Sequence, residues 1–80
     1  MITFDGVIRK LREGKRVELK FHLNFGVYSR HELTLERGKI CDKSYVDGST
    51  SQFTIRQYSE SFYGEAFRKN AVELIEERTT

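Results

Sequence analysis

The fold is decided by residues 16–25, which read RVELKFHLNF. Apolar and polar side chains alternate there over ten positions, and the apolar set is Val17, Leu19, Phe21, Leu23 and Phe25. Successive side chains of a strand point to opposite faces, so this period of two predicts a half-buried β-strand with one wet face. A strand of this kind is typical of an antiparallel sheet that is covered on one face and open to water on the other.

Further strands are predicted on the C-terminal side of this stretch. HELTLE (31–36) and KICDKSYV (39–46) alternate in the same way, and the pair Arg37–Gly38 between them favours a tight hairpin turn. Asp47–Gly48 marks a second turn. After it, SQFTIRQY (51–58) predicts a fourth strand, with a loop as the alternative; Phe53 and Ile55 would face inward, and Thr54, Arg56 and Tyr58 outward.

Helices are predicted at both ends of the chain. Thr3 can cap the first, Gly14 can end it, and its apolar stripe is Phe4, Val7, Ile8 and Leu11. Ser59 or Ser61 can cap the last, whose apolar stripe would be Tyr63, Phe67, Ala71, Leu74 and Ile75. The predicted fold is α+β, in the order α-β-β-β-(β)-α. Three or four strands form an antiparallel meander, with the N-terminal and C-terminal helices packed on one face, in a single domain over 1–80.

Composition narrows the class of protein. The 80 residues carry a net charge of +2, with +4 on residues 1–40 and −2 on residues 41–80, which is mild for a dedicated nucleic-acid binder. Cys41 is the single cysteine, which favours a reducing compartment. No apolar run is long enough to cross a bilayer, and the opening MITFDGVIRKL lacks the order of a signal peptide, so we expect a cytoplasmic protein with no membrane partner.

Catalytic and metal sites are not expected. His22 should lie on the outer face of the first strand and His31 on the inner face of the second, which separates them. Cys41 could pair with a histidine as a nucleophile, but no third member is evident, and a tetrahedral metal site usually needs four ligands. We therefore predict a protein that is not an enzyme and binds no cofactor or metal.

Nucleic-acid binding is the alternative that the basic residues raise. A basic patch is predicted around the end of the first helix, comprising Arg9, Lys10, Arg12, Lys15, Arg16 and Lys20. On the open sheet face, Glu18 and Glu32 interrupt Arg16, Lys20, Arg30 and Arg56, which disfavours a phosphate track. The element order resembles that of double-stranded RNA-binding domains. The last helix opens with SESFYGEAF where that family has a lysine-rich turn, so none of the family's RNA-binding residues has a counterpart here.

The segment 44–64 is rich in serine and tyrosine, a composition typical of adaptable binding surfaces. We predict a partner-binding site formed by Tyr45, Arg56, Tyr58 and Phe62, because aromatic residues and arginine are enriched at interface hot spots. The competing interpretation is that these are ordinary half-buried side chains at a strand-to-helix corner. Self-association through an exposed sheet edge or face is a third alternative.

The opening FDGVIRKLREGKRVELKF resembles a pattern in many small proteins of phages and mobile elements, including some of the anti-CRISPR and anti-defence type. In these proteins a short amphipathic helix runs through a Gly-Lys-x-Val turn into a first strand. The resemblance covers about the first quarter of the chain and transfers no functional residue. It implies a phage- or mobile-element-borne stoichiometric inhibitor, which would occupy a larger protein or nucleoprotein complex such as a bacterial defence effector.

Overall fold

The computed structural model describes residues 2–79. Three helices and five strands follow one another in the order α1 (Phe4–Arg12), β1 (Lys15–His22), β2 (Tyr28–Glu36), β3 (Lys39–Ser44), β4 (Thr50–Thr54), α2 (Ile55–Glu60), α3 (Phe62–Arg68) and β5 (Val72–Thr79). The predicted class, an α+β protein with an antiparallel sheet and helices from both halves of the chain, is confirmed.

The sheet has the strand order β4-β3-β2-β1-β5, and every neighbouring pair is antiparallel. β1 to β4 form the predicted meander, and β5 returns to pair with the free edge of β1. The helices cover the inner face, where the apolar side chains of the alternating strands meet α1 and α3. The fully buried aliphatic residues of this core include Val7, Leu11, Val17, Leu19, Leu33 and Ile40.

The N-terminal helix begins and ends where its sequence predicts. The Thr3 hydroxyl accepts a hydrogen bond from the Gly6 amide at 3.0 Å, which satisfies one of the free donors of the first turn. Gly14 follows the helix with φ of +85°, a conformation that side chains disfavour. The apolar stripe is buried at Val7, Ile8 and Leu11, as expected.

The predicted fourth strand is shorter than expected and turns into a helix. β4 ends at Thr54, and α2 starts at Ile55, so Arg56 and Tyr58 lie on a helix rather than on the outer face of a strand. The cause is a capping box: the Gln57 amide donates to the Thr54 hydroxyl at 3.0 Å, and the Thr54 amide donates to the Gln57 side chain at 2.9 Å. The predicted register of residues 55–58 was therefore wrong.

The predicted long C-terminal helix was also wrong beyond Arg68. Asn70 adopts a left-handed conformation with φ of +57°, and the Ala71 and Asn70 amides donate to the carbonyls of Ala66 and Phe67. This pair of bonds is a Schellman motif, which ends a helix. The chain then continues as β5, with Val72 opposite Phe21 and Leu74 opposite Leu19. Ile75 is the unpaired residue of a β-bulge and is exposed, so it does not join a helical stripe.

No helix within residues 2–79 is both long enough and apolar enough to span a membrane.

Candidate functional site

Exposed apolar side chains concentrate at one end of the sheet. Because the strands are antiparallel, the turn between β1 and β2 and the turn between β3 and β4 lie side by side, and the Tyr45 amide donates to the Arg30 carbonyl at 3.0 Å. Phe62, at the start of α3, flanks a hollow that it shares with Leu23 and Asn24 of the first turn. We call this surface the hairpin end, and it comprises Phe25, Val27, Tyr28, Tyr45, Val46 and Phe62.

Phe25 stands at the tip of the hairpin end in an unfavourable conformation. Its side chain is 100% exposed, and its backbone lies in the left-handed region, with φ of +62° and ψ of +34°. Gly26 follows with φ of +75°, and the Val27 amide donates to the Asn24 carbonyl at 3.3 Å, so two residues of positive φ close a tight turn. Such turns favour Asn or Gly at this position, because a Cβ clashes there. Phe25 gains nothing from core packing, so neither burial nor turn geometry explains it.

A polar pocket of about 330 Å³ opens beside the turn between β3 and β4. Its walls come from the inner face of β2 and β3, from the β3–β4 turn and from α3. The lining residues are Ser29, His31, Asp42, Ser44, Val46, Asp47, Ser49, Ser51 and Tyr63. Val46 also belongs to the hairpin end, so the polar pocket adjoins the exposed apolar surface.

Three of the lining side chains form a hydrogen-bonded chain. Ser29 Oγ lies 3.0 Å from His31 Nε2, and His31 Nδ1 lies 2.7 Å from Asp42 Oδ1. In the neutral tautomer that is protonated at Nδ1, the imidazole donates to the Asp42 carboxylate and accepts from the serine hydroxyl. The rings of Phe21 and Tyr63 contact the imidazole edge to face, with ring centroids 5.3 and 5.0 Å away. His31 is buried on the inner face and His22 exposed on the outer face, so the predicted separation of the histidines is confirmed.

The order Ser–His–Asp is that of a catalytic relay, but the turn beside it offers few donors for an oxyanion. The Val46 amide donates to Ser44 Oγ at 3.2 Å, and the Gly48 amide donates to the Ser44 carbonyl at 2.9 Å. The Ser49 amide donates to Asp47 Oδ1 at 2.9 Å. Acyl transfer depends on free donors placed where negative charge develops, and these three amides already have acceptors within the turn.

Asp42 has an unusual environment. The side chain is buried, and its second oxygen, Oδ2, accepts no hydrogen bond from any residue between 2 and 79. The Tyr58 hydroxyl is likewise buried without a partner in that range. Burial raises the pKa of Tyr58, and the nearby charge of Asp42 raises it further. A buried polar atom without a hydrogen-bond partner lowers the free energy of unfolding by about 1–3 kcal/mol, so two such atoms need a physical explanation.

The charge of the polar pocket is negative. Asp47 lies at its rim, and the hydrogen bond from the Ser49 amide lowers the pKa of that carboxyl below its ordinary value. None of its nine lining residues is a lysine or an arginine. Across the described chain, no three His, Cys, Asp or Glu side chains converge in a way that could hold a metal ion.

The outer face of the sheet is covered by paired charges. Arg30 donates to Glu18 through both Nε, at 2.9 Å, and Nη2, and Arg16 lies 3.6 Å from Glu32. The Tyr45 hydroxyl lies within hydrogen-bond distance of both Glu18 and Glu32, at 3.3 and 3.2 Å, so its single proton is shared between the two carboxylates. This network explains how Glu18 is buried on a face that the alternation predicts to be wet. The Lys20 ammonium sits over the ring of Tyr28, 4.0 Å from its centroid.

The predicted basic patch is divided among three surfaces. Lys10 and Lys15 pair with Glu77 of β5 at 2.7 and 3.2 Å. Arg9 and Arg12 are exposed on α1, whereas Arg16 and Lys20 lie on the outer face of the sheet. Arg56 is on α2, 3.5 Å from Glu60, and so does not join Arg16, Lys20 and Arg30.

The predicted partner-binding residues are not one surface. Tyr58 is 0% exposed and stacks on Phe4 and Tyr63, so its expected exposure was wrong; the helical turn of α2 points it into the core. Arg56 is exposed on α2, away from the outer-face network that holds Tyr45. Tyr45 and Phe62 do belong to the hairpin end.

Phe25, Val27, Tyr28 and Val46 are the members of the hairpin end that were not predicted from the sequence. Alternation extended the first strand to Phe25 and turned that side chain inward, whereas β1 ends at His22. The available signal was Asn24 and Gly26 on either side of Phe25, since both residue types favour positive φ in tight turns.

No protein-family model, curated protein or solved structure matches this chain.

Proposed function

We propose that this protein is a small non-enzymatic binding protein that occupies the surface of a larger protein or nucleoprotein complex through its hairpin end. The observation that carries the proposal is Phe25, a fully exposed aromatic side chain in a left-handed turn position. Backbone strain that packing does not explain is concentrated at functional sites in proteins. An aromatic anchor surrounded by further apolar side chains has the composition of an interface hot spot.

The neighbours of Phe25 support a protein as the occupant. Val27 and Val46 are exposed apolar residues on turns held by internal hydrogen bonds, and Phe62 is an exposed apolar residue at the start of α3. A rigid apolar surface loses little conformational entropy on binding, which favours stoichiometric occupation. The resemblance of the N-terminal pattern to phage and mobile-element proteins makes a bacterial defence complex in the cytoplasm the partner class that we propose.

Direct nucleic-acid binding has less support. Arg16 and Arg30 on the outer face are already paired with Glu32 and Glu18, and Arg56 lies elsewhere. A phosphate track needs cations that are free to replace counterions along one surface.

The lack of enzymatic activity is part of the proposal. The amides of the β3–β4 turn have internal acceptors, so Ser29 has little help in stabilising an oxyanion. A fluorophosphonate probe should leave Ser29 unlabelled under conditions that label a serine hydrolase to completion. Stoichiometric labelling that Ser29→Ala abolishes would contradict this part of the proposal.

The experiment is a comparison of three tagged baits in a nuclease-treated bacterial lysate. The wild type should retain a partner at a fixed stoichiometry, read by mass spectrometry, and the double variant Val46→Ser/Phe62→Ser should lose it. Ile75→Ser is the matched control, because Ile75 is also an exposed apolar residue but lies on the edge strand β5. Equal retention by all three baits, or recovery of nucleic acid alone, would contradict the proposal.

A further inference from the structure

We infer that the polar pocket receives the guanidinium group of an arginine side chain carried by the partner protein. This inference rests on the proposed function, since it adds a charged subsite to the apolar hairpin end. It starts from Asp42 Oδ2, a buried carboxylate oxygen without a hydrogen-bond donor in residues 2–79. A carboxylate left in this state is completed by a ligand that brings N–H donors.

The charge of the polar pocket selects a cation. Asp42 and Asp47 are its acidic residues, and no lysine or arginine lines it. The Asp47 carboxylate is ionised at neutral pH, because the Ser49 amide stabilises its charged form. His31 covers one oxygen of Asp42, with Nδ1 2.7 Å from Oδ1, and leaves the second oxygen, Oδ2, for a ligand.

The shape and lining favour guanidinium over ammonium. Ser44 follows Asp42 on the same face of β3, Ser51 is its cross-strand neighbour on β4, and both serines line the polar pocket. Tyr63 adds an aromatic ring to the wall. A planar guanidinium can stack on such a ring while its five N–H groups donate to several acceptors, which an ammonium does less well. The volume of about 330 Å³ is ample for this head group.

The position of the polar pocket identifies the source of the guanidinium. Val46 and Asp47 form part of its rim, and Val46 belongs to the hairpin end, so a partner seated on that surface covers the mouth. An arginine side chain could then enter beside the apolar contact. Oδ2 is shielded from solvent, so a side chain has to move before the guanidinium can reach it.

The test is a titration of the isolated protein with capped amino acids, followed by two-dimensional amide NMR. N-acetyl-arginine N-methylamide should give saturable shifts at Ser29, His31, Ser44 and Ser49. Its citrulline analogue, which has nearly the same shape without the charge, should bind at least about tenfold more weakly, because a charge-assisted hydrogen bond is lost. The capped lysine should fall between them.

Two variants link the shifts to the polar pocket. Asp42→Asn keeps an oxygen for His31 and removes the charge, so it should weaken binding of the capped arginine about tenfold or more with an otherwise native spectrum. Asp47→Asn should weaken binding less, because Asp47 lies at the exposed rim. If Asp42→Asn perturbs the fold, Ser51→Ala replaces it as the pocket variant.

Each outcome decides the inference. Equal binding of the arginine and citrulline probes, or no saturable shift near the polar pocket, overturns it. Much tighter binding of free arginine than of the capped form would overturn the partner side chain as the source. The titration uses no partner, so its result is independent of the bait comparison. If the titration succeeds and the bait comparison fails, the proposed function is refuted and only a guanidinium pocket remains. The reverse result would leave the docking proposal intact and remove this subsite.

Discussion

At the residue scale, the burial of two aromatic side chains is the opposite of what their sequence context predicts. Phe25 continues an alternating strand in the sequence but is fully exposed at a turn, and Tyr58 follows polar residues but is fully buried. In both cases a local hydrogen-bonding motif overrides the period of two: a turn with positive φ at Phe25 and a capping box at Thr54. Alternation assigns faces correctly only where the strand continues, as it does at Val17, Leu19 and Phe21.

Tyr58 gives the first prediction. Its ring packs between Phe4 and Tyr63, but its hydroxyl is buried without a partner in the described part of the chain. Tyr58→Phe should therefore leave the free energy of unfolding unchanged or raise it by less than about 1 kcal/mol, because an unsatisfied donor is removed. Tyr58→Ala should lower it by about 3–5 kcal/mol through loss of the ring. Urea denaturation measures both; a loss above about 1 kcal/mol for Tyr58→Phe would contradict the absence of a hydrogen-bond partner for the hydroxyl.

Cys41 gives a second prediction at this scale. Burial raises the pKa of its thiol, and the nearby Glu36 raises it further. Since the thiolate is the reactive form, Cys41 should react with a disulfide reagent far more slowly in the native protein than in urea. A native rate as fast as the unfolded rate would contradict its buried position on β3.

At the scale of elements, the helices and strands that were predicted correctly are those whose sequence pattern extends over several residues. α1 has a cap, a stripe and a terminal glycine, and β1 to β3 have alternation and turn signals, so these were found. β5 was missed because Tyr63, Phe67, Ala71 and Leu74 also fit a helical stripe. The helix ends at a single residue, Asn70, which adopts a left-handed conformation. The periodicity of apolar residues in the sequence does not reveal such a stop.

The contact between α2 and α3 gives an element-scale prediction. A Cβ built on Gly64 would lie 1.9 Å from the Ser59 carbonyl oxygen, which belongs to the backbone and cannot swing away. Gly64→Ala should lower the free energy of unfolding by about 3 kcal/mol. Gly6→Ala is the matched control, because its Cβ would meet only the Thr3 hydroxyl at 3.1 Å, and alanine favours the helix by up to about 1 kcal/mol. Equal stability of the two variants by thermal unfolding would contradict the close approach of these helices.

Glu77 joins α1 to β5 and makes the stability of the protein depend on pH. Lys10 and Lys15 hold the pKa of Glu77 below its ordinary value of 4.5. The unfolded chain therefore takes up a proton first on acidification, and the stabilising effect is present above pH 4.5 and lost as the pH falls through the lower folded pKa. Glu77→Gln should flatten this part of the stability profile measured by urea denaturation between pH 3 and 6. A profile parallel to that of the wild type would show that the lysines do not act on Glu77 in solution.

At the scale of the whole molecule, the features that suggest a binding site are also features that lower the stability of a small domain. A domain of this size buries only about 60–65% of the surface that its unfolded chain exposes, so each unfavourable feature is a large part of the margin. The described chain nevertheless keeps a strained Phe25, an unpartnered oxygen on Asp42 and a row of exposed apolar side chains at one end. The fold class followed from patterns that extend over many residues. The candidate site did not, because it is assembled from turn tips and cross-strand neighbours.

The most direct test of this account is to measure stability and partner retention together for Phe25→Asn. Asparagine tolerates the left-handed conformation, so the free energy of unfolding should rise by about 1 kcal/mol, while retention of the partner captured by the wild type should fall. The expected result is a more stable protein that binds its partner less well. A variant that is less stable, or that retains the partner as fully as the wild type, would contradict the role of Phe25 as a strained binding anchor.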